Sequence, residues 1–318
     1  MQNFEYARAR SVDGAIQLST DDSRFLAGGI DLLGEMKEYI VSPKRVIDLK
    51  LIPDLDKVDL SGGVLKLGAN VTIAAIVNNE EIIATLPGLA EAASEVGSPQ
   101  IRNVATLGGN LAQHSRCWYY RHRDLYCLKR GGSTCYAREG ENKYSSLFSG
   151  NPCISPVVSN LAIILATLDA KVNLWRGDKE VTLSIEELYA GAWNNPLAHN
   201  SLLPGDLIVS VEIPTRKNRS TYLQVSEKSD FDWALVSCAA AGRNTGDQLT
   251  DVSVFLGAVA PIPYRVESAR LASGDFSKET VESIAATVGA KATPFSHNGY
   301  KIPIAQALVR RAITRIVT

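Results

Sequence analysis

The sequence has no surplus of either charge: 33 Lys and Arg against 34 Asp and Glu leave a formal net charge of −1. Without a basic tail or a basic helix stripe, it lacks the electrostatic footprint of a nucleic-acid binder. It also has no run of roughly 18 apolar residues, the length that spans a bilayer, so no membrane insertion is expected. The most apolar stretch, Leu161 to Leu168, reads as a buried helix. The opening residues Met1-Gln2-Asn3-Phe4-Glu5-Tyr6 contain neither a charged nor an apolar segment of the kind that directs export. The expected compartment is therefore the cytoplasm, unless a partner chain carries an export signal for a complex. Internal repeats, low-complexity tracts and coiled-coil heptads are absent too.

Cysteine is scarce, at five residues, and an odd count without an export signal argues against a disulfide framework. Four of the five, Cys117, Cys127, Cys135 and Cys153, fall in one irregular, aromatic and basic stretch. The fifth, Cys238, lies in the apolar run Leu235-Val236-Ser237-Cys238-Ala239-Ala240 and is expected in a core. Clustered thiols in a reducing compartment point to metal binding, and four thiolates are what a cubane iron–sulfur cluster requires. The gaps of nine, seven and seventeen residues are unlike the C-x₂-C pairs of structural zinc sites or bacterial ferredoxins. They suit a surface excursion shaped partly by its metal. Four packed thiols and a Cys₄ zinc site remain open from spacing alone. Gly131-Gly132 would let the chain bend between ligands, and Arg116, Arg121, Arg123, Lys129 and Arg130 would offset thiolate charge. His114 and His122 flank Cys117 and are read as structural, with a bond to the metal group as the alternative. Trp118, Tyr119 and Tyr120 are expected to pack the excursion, with shielding of the metal group from water as the alternative, while His199 and His297 have no partner nearby in sequence.

At 318 residues the chain can form two or three units with good cores. A strand at Phe4–Arg10, a helix from Ser11, a strand Arg24–Ala27, a helical Asp31–Lys37 and a strand Arg45–Leu49 make a β-α-β-α-β unit ending near Pro53. A hairpin turning at Ser61-Gly62-Gly63 follows, then a helix from Thr72 to Val77 and a longer one from Gly88 to Val96. After the cysteines come the helix Ser159–Leu168, the strand Ala170–Trp175, a helical turn Ile185–Leu188 and the strand Asp206–Pro214. The charged stretch Thr215–Arg219 marks the boundary to a last unit. It holds strands near Tyr222–Val225, Leu235–Ala241 and Val252–Val259, a hairpin Arg243-Asn244-Thr245-Gly246-Asp247, and helices Lys278–Ala290 and Ile302–Ile316. The class is α+β. Two glycine turns stand out, Ala27-Gly28-Gly29 and Thr106-Leu107-Gly108-Gly109-Asn110. Each can aim backbone N–H groups and a helix dipole at an anion. Neither is a Rossmann G-x-G-x-x-G or a P-loop. Singly each is usually just a tight turn; together they suggest a dinucleotide diphosphate.

Phe25-Leu26-Ala27-Gly28-Gly29-Ile30-Asp31-Leu32-Leu33 resembles the AGGTDLL loop of the FAD subunits of molybdenum hydroxylases, the xanthine dehydrogenase family. Gln100 to Leu111 is similar to that family's RNxATxGGN motif, and Gly68-Ala69, Leu168-Asp169-Ala170, Leu203-Pro204-Gly205-Asp206 and Val211-Glu212-Ile213-Pro214 extend the likeness along the chain. The resemblance implies a two-subdomain FAD-binding fold of the vanillyl-alcohol-oxidase/PCMH type at 1–56 and 57–217, with a C-terminal β-sheet-and-helices domain at 218–318. It implies that FAD is bound by Leu26, Ala27, Gly28, Gly29, Ile30, Asp31 and Leu32, by Ala105, Thr106, Gly109 and Asn110, and by Asn160, Ile208 and Gln224. Three positions depart from the pattern: Ile30 replaces a threonine, Asn160 an aspartate of an HPSD motif, and Gln224 a common lysine.

About forty residues, 114–155, intervene between the second glycine motif and Val157-Val158-Ser159-Asn160. They are similar to the insert that binds a [4Fe-4S] cluster in 4-hydroxybenzoyl-CoA reductase and some bacterial aldehyde dehydrogenases. The resemblance thus implies cluster ligation by Cys117, Cys127, Cys135 and Cys153. It also implies an electron-transfer subunit with a molybdopterin-binding large subunit and a [2Fe-2S] small subunit as partners. The external partner would be ferredoxin or another electron carrier. Such a role requires no acid–base residue, and none is nominated. The competing readings are a stand-alone flavin oxidoreductase, for which no convincing His/Asp/Tyr set is visible, and a zinc-stabilised scaffold. Trp233 falls where family members approach the flavin ring, with a core role as the alternative.

Overall fold

The computed structural model describes residues 1–246, 248–272 and 276–318. Strands β1 (Glu5–Arg8), β2 (Ser23–Leu26) and β3 (Arg45–Asp48) form a parallel sheet in the order β1-β3-β2. Parallel neighbours need crossovers, which are the helices Val12–Leu18 and Leu32–Lys37. Ser11 starts the first by accepting the Gly14 N–H. The core of this unit, Ala15, Ile47, Leu49, Ile52 and Leu55, is completed by Leu207 from far along the chain, so the small sheet leans on the next one.

Five antiparallel strands follow: β4 (Val58–Ser61), β5 (Val64–Gly68), β6 (Lys171–Arg176), β7 (Lys179–Ser184) and β8 (Leu207–Pro214), ordered β4-β5-β8-β6-β7. The helix Asn160–Thr167 is apolar on every side, and Leu161 to Thr167 are all buried. Such a helix must be enclosed. It is packed into one core with Leu65, Leu67 and Val211 of this sheet and with Tyr222, Ala239 and Phe255 of the next.

The last sheet is antiparallel, β12-β11-β10-β9, from β9 (Arg219–Val225), β10 (Val236–Asn244), β11 (Leu249–Gly257) and β12 (Tyr264–Arg265). The helix Lys301–Val317 covers it with Ala305, Leu308, Val309, Ala312, Ile313 and Ile316, a 3–4 spacing that gives one continuous stripe. Cys238 is fully buried in β10 within this core, as expected. Among the described residues no helix is long and apolar enough to cross a membrane.

Two local expectations change and one holds. The helical turn at Ile185–Leu188 runs on to Asn194, with its start fixed by a full capping box of Ser184 and Glu187. The hairpin expected at Arg243–Asp247 is found, joining β10 to its antiparallel neighbour β11, with Asp247 itself outside the described residues. Thr106-Leu107-Gly108-Gly109-Asn110 is not a turn: Leu107–Ala112 is a helix with Thr106 as its N-cap.

Lys301, at the start of the last helix, is fully buried and donates to the carbonyls of Ser145 (3.0 Å) and Ala258 (2.9 Å). Burial pushes its ammonium from the ordinary 10.5 down to about 7. Between those values the unfolded chain holds a proton that the folded chain has released, so this residue makes stability rise with pH. Lys301→Met is expected to flatten that rise in urea unfolding followed from pH 7 to pH 10. Identical slopes for variant and wild type would contradict it.

Candidate functional site

The chain leaves β2 at Leu26 and enters the helix Leu32–Lys37 through Ala27-Gly28-Gly29-Ile30-Asp31. Gly29 sits at φ +75°, a conformation that favours glycine. A Cβ on Gly28 would lie 2.1 Å from the Val104 carbonyl oxygen, so only glycine lets this loop seat against the backbone of Val104 and Ala105. The backbone N–H groups of Gly28, Gly29, Ile30 and Asp31 meet no acceptor among the described residues. The second glycine segment behaves differently. Leu107 N–H donates to Val71, Gly108 N–H to Ala69, Gly109 N–H to the Thr106 hydroxyl and Asn110 N–H to the Thr106 carbonyl. Its donors are already used, so the second segment supports the first rather than repeating its role.

Between them opens a cleft of about 530 Å³. Its wall includes the first loop from Leu26 to Leu32, together with Ala105, Thr106, Gly109, Asn110, Asn160 and Ile208. Gln224 is the nominated residue that does not reach it. Its amide donates to Glu95 (2.7 Å) and accepts from Asn160 (3.1 Å), so it stands one residue behind the wall. Sequence reasoning missed Asn70, Glu95, Arg116 and Phe231, which also line the cleft. Burial, then the nearby Asp230 charge, pushes the Glu95 carboxyl up. Trp233 lies on the rim, half exposed, with the Arg116 guanidinium 5.0 Å from its ring, rather than in a core. Two buried polar atoms without a partner, Asn70 Oδ1 and Arg116 Nε, belong to this wall. A long cleft with free N–H donors at one loop and unpaired polar atoms along its side fits a dinucleotide with a diphosphate.

Asp31 closes the loop onto the cysteine excursion. Its carboxylate accepts from Arg121 (2.6 Å), Arg116 (2.9 Å) and the His114 N–H (2.8 Å). One helical turn on, buried Glu35 accepts from the Tyr120 hydroxyl (2.7 Å) and meets His114 Nδ1 (3.0 Å). Burial pushes the Glu35 carboxyl up, but His114, Arg121 and Tyr120 outweigh it and leave it lowered. His114 stacks on His199 at 4.0 Å between centroids, a pairing invisible in sequence. Burial first, then His114, holds His199 well below its ordinary value, and its neutral ring accepts the Ser115 N–H at 3.1 Å. Asp31, Glu35 and His114 bring three ligand atoms within 4.8 Å, yet two guanidiniums already supply the positive charge there. His122 is exposed and His297 faces Glu141 at 3.6 Å, so neither takes part.

Beyond this knot, Cys117, Cys127, Cys135 and Cys153 line one small pocket with Tyr119, Tyr120, Leu128, Lys129, Tyr136, Ala137 and Ser155. Trp118, expected to pack this stretch, is instead 63% exposed, with its ring tilted against Tyr144 at 5.1 Å between centroids. Cys117, Cys127 and Cys135 each immediately precede a helical turn, where N–H groups point back along the chain. Burial raises the Cys117 thiol while the amides of Tyr120 and Tyr119 pull it down. Cys153 donates toward Cys135, which drops to about 6, and Cys153 itself is raised. Cys135 and Cys153 are thus a close pair, but among the described residues no three cysteine sulfurs come within 4.8 Å of one another, as ligand atoms of Asp31, Glu35 and His114 do. Tetrahedral zinc with Zn–S bonds of about 2.3 Å would draw its sulfurs to about 3.8 Å from one another. His114 borders the cleft, Lys129 and Ser155 border the cysteine pocket, and all three border a void between the two.

Comparison with known proteins agrees over the full length. The family model "FAD binding domain in molybdopterin dehydrogenase" matches residues 2–216, and "CO dehydrogenase flavoprotein C-terminal domain" matches 221–316. The chain is 31% identical over 315 residues to the aldehyde oxidoreductase FAD-binding subunit PaoB of Escherichia coli K12, covering 96% of each. It is 26% identical over 321 residues to the carbon monoxide dehydrogenase medium chain of Hydrogenophaga pseudoflava, covering 98% of this chain and 96% of that one. Among solved structures, CO dehydrogenase from Oligotropha carboxidovorans superposes with a TM-score of 0.78 at 23% identity, over 99% of this chain and 98% of that one, which shows the same fold.

Gly28→Ala is expected to unseat the first loop. Overpacking of this kind costs about 1–3 kcal/mol, so flavin affinity, read by fluorescence of released FAD, should fall roughly five- to hundredfold. Unchanged affinity would contradict the close seating.

Proposed function

Because this chain belongs to the FAD-binding subunits of the molybdopterin dehydrogenase family, we propose that it carries electrons within a multi-subunit molybdenum hydroxylase-type oxidoreductase, using FAD and one [4Fe-4S] cluster. The carrying observation is that four cysteines spread along 117–153 come to line one pocket beside the flavin cleft. Among the described residues no three of their sulfurs come within 4.8 Å of one another, which favours a polynuclear group with a sulfur on each metal over one tetrahedral ion. FAD exchanges single electrons with iron–sulfur centres and electron pairs with external partners.

The chain's own residues would do the rest. The first loop presents its N–H groups to the diphosphate, Asn70 and Arg116 offer unpaired polar atoms, and Trp233 closes the rim over Arg116. Asn160, held by Gln224, offers a neutral amide side chain at the wall, so no charge from these two positions acts on the ring. Cys117, Cys127, Cys135 and Cys153 would hold the cluster. The reading extends to a molybdopterin-binding large subunit and a [2Fe-2S] small subunit as partners, with electrons passing between those clusters and an external carrier such as ferredoxin. It also takes 1–56, 57–217 and 218–318 as the three units, which the three separate sheets support.

Cys127→Ser tests the ligand set. In anaerobic preparations the broad absorption beneath the flavin bands is expected to vanish, with loss of about four iron atoms per chain, while bound FAD stays. Iron content equal to wild type would overturn the assignment.

A further inference from the structure

The cysteine stretch is basic in sequence, but most of its cations face away from the sulfurs. Arg116 and Arg121 are committed to Asp31. Arg123 lies over the Tyr39 ring at 5.0 Å, and Arg130 donates to the carbonyls of His122, Arg123 and Leu125. Arg138 lies over Phe295 at 5.1 Å and donates to the Pro152 carbonyl at 3.1 Å, with its charge also reaching Cys135. Lys129 differs from all of these. It is the charged side chain in the wall of the cysteine pocket, and it is 8% exposed.

Two residues past Cys127, Lys129 sits in the single turn Leu128–Arg130, whose backbone is fixed by Arg130 N–H to Cys127 O (2.8 Å) and Gly131 N–H to Leu128 O (3.0 Å). Its Nζ donates to the Ala198 carbonyl at 2.8 Å, which anchors it to the segment carrying His199. No other acceptor is within hydrogen-bond reach of it among the described residues, and the residue lines the cysteine pocket. All four thiols lie near enough to act on its charge, opposing the downward push of burial.

Resting on the reading of these cysteines as cluster ligands, we propose that Lys129 sets the reduction potential of the cluster, as a buried positive charge fixed against its four sulfurs. Reduction adds one electron and so one negative charge to a thiolate-ligated cluster. A cation held at close range in a water-poor wall stabilises that reduced state more than the oxidised one. The electron comes from the flavin or a partner cluster, and no bond to the chain forms or breaks. Lys129 acts as a positioning charge rather than as a ligand.

The test is a potentiometric titration, read by electron paramagnetic resonance, of the chain purified anaerobically with its accompanying subunits. Iron and labile sulfide are measured in each sample, and the flavin midpoint serves as internal reference. Lys129→Met is expected to lower the cluster midpoint with the flavin midpoint unmoved, and Lys129→Arg to return it toward wild type. Should the methionine variant hold too little cluster to titrate, Lys129→Gln, which keeps a donor for Ala198, takes its place with the same expected shift. A normal iron content with an unshifted midpoint in the neutral variant overturns the proposal and leaves the cluster reading standing. Wild-type protein without iron or labile sulfide overturns the cluster reading, and this proposal with it.

Discussion

Two arginines of the cysteine excursion grip one aspartate of the first glycine loop, and much of the site's shape follows from that grip. Asp31 is held by Arg116 and Arg121, which flank Cys117 on either side, and by the His114 amide. The partners are partly buried, so the attraction gains less net stability than its short distances suggest. What it supplies is position. Removing one member of a fully buried pair costs on the order of 3–5 kcal/mol, and for these partly exposed groups the cost is smaller but has the same cause, a charge left unpaired. The loop that presents free N–H groups is therefore fixed by the same segment that carries the sulfurs. Glu35, one turn along, repeats the link through Tyr120 and His114.

The knot also explains why a basic sequence stretch is not a basic pocket. Composition predicts a cloud of positive charge around the cysteines. The fold instead directs Arg116 and Arg121 to carboxylates, Arg130 to carbonyls and Arg123 to a ring, and leaves Lys129 facing inward. Charge placement here depends on which acceptors the tertiary structure brings near, not on how many cations the segment contains.

What was legible in sequence is what local chemistry decides. Ser11, Thr72 and Ser159 cap helices where their hydroxyls announce them, and the alternation near Val58–Gly68 gives the hairpin. The first glycine loop and the four cysteines could be picked out because glycine and cysteine are rare choices with specific consequences. What was hidden depends on distant partners. The second glycine segment looks like a free anion loop until Ala69 and Val71, some forty residues away, take its N–H groups. Gln224 is near the cleft in topology, but Glu95 and Asn160 hold its amide back. The stacking of His114 on His199, and the clamp of Arg121 on Asp31 ninety positions away, leave no trace in spacing.

The central claim is that one polypeptide holds a flavin and an inorganic sulfur cluster on two sides of a shared wall. Quantifying FAD, iron, zinc and acid-labile sulfide in the chain isolated without oxygen tests it most directly. The account predicts one flavin with about four irons and as many sulfides. Flavin accompanied by zinc, or by no metal and no sulfide, would contradict it.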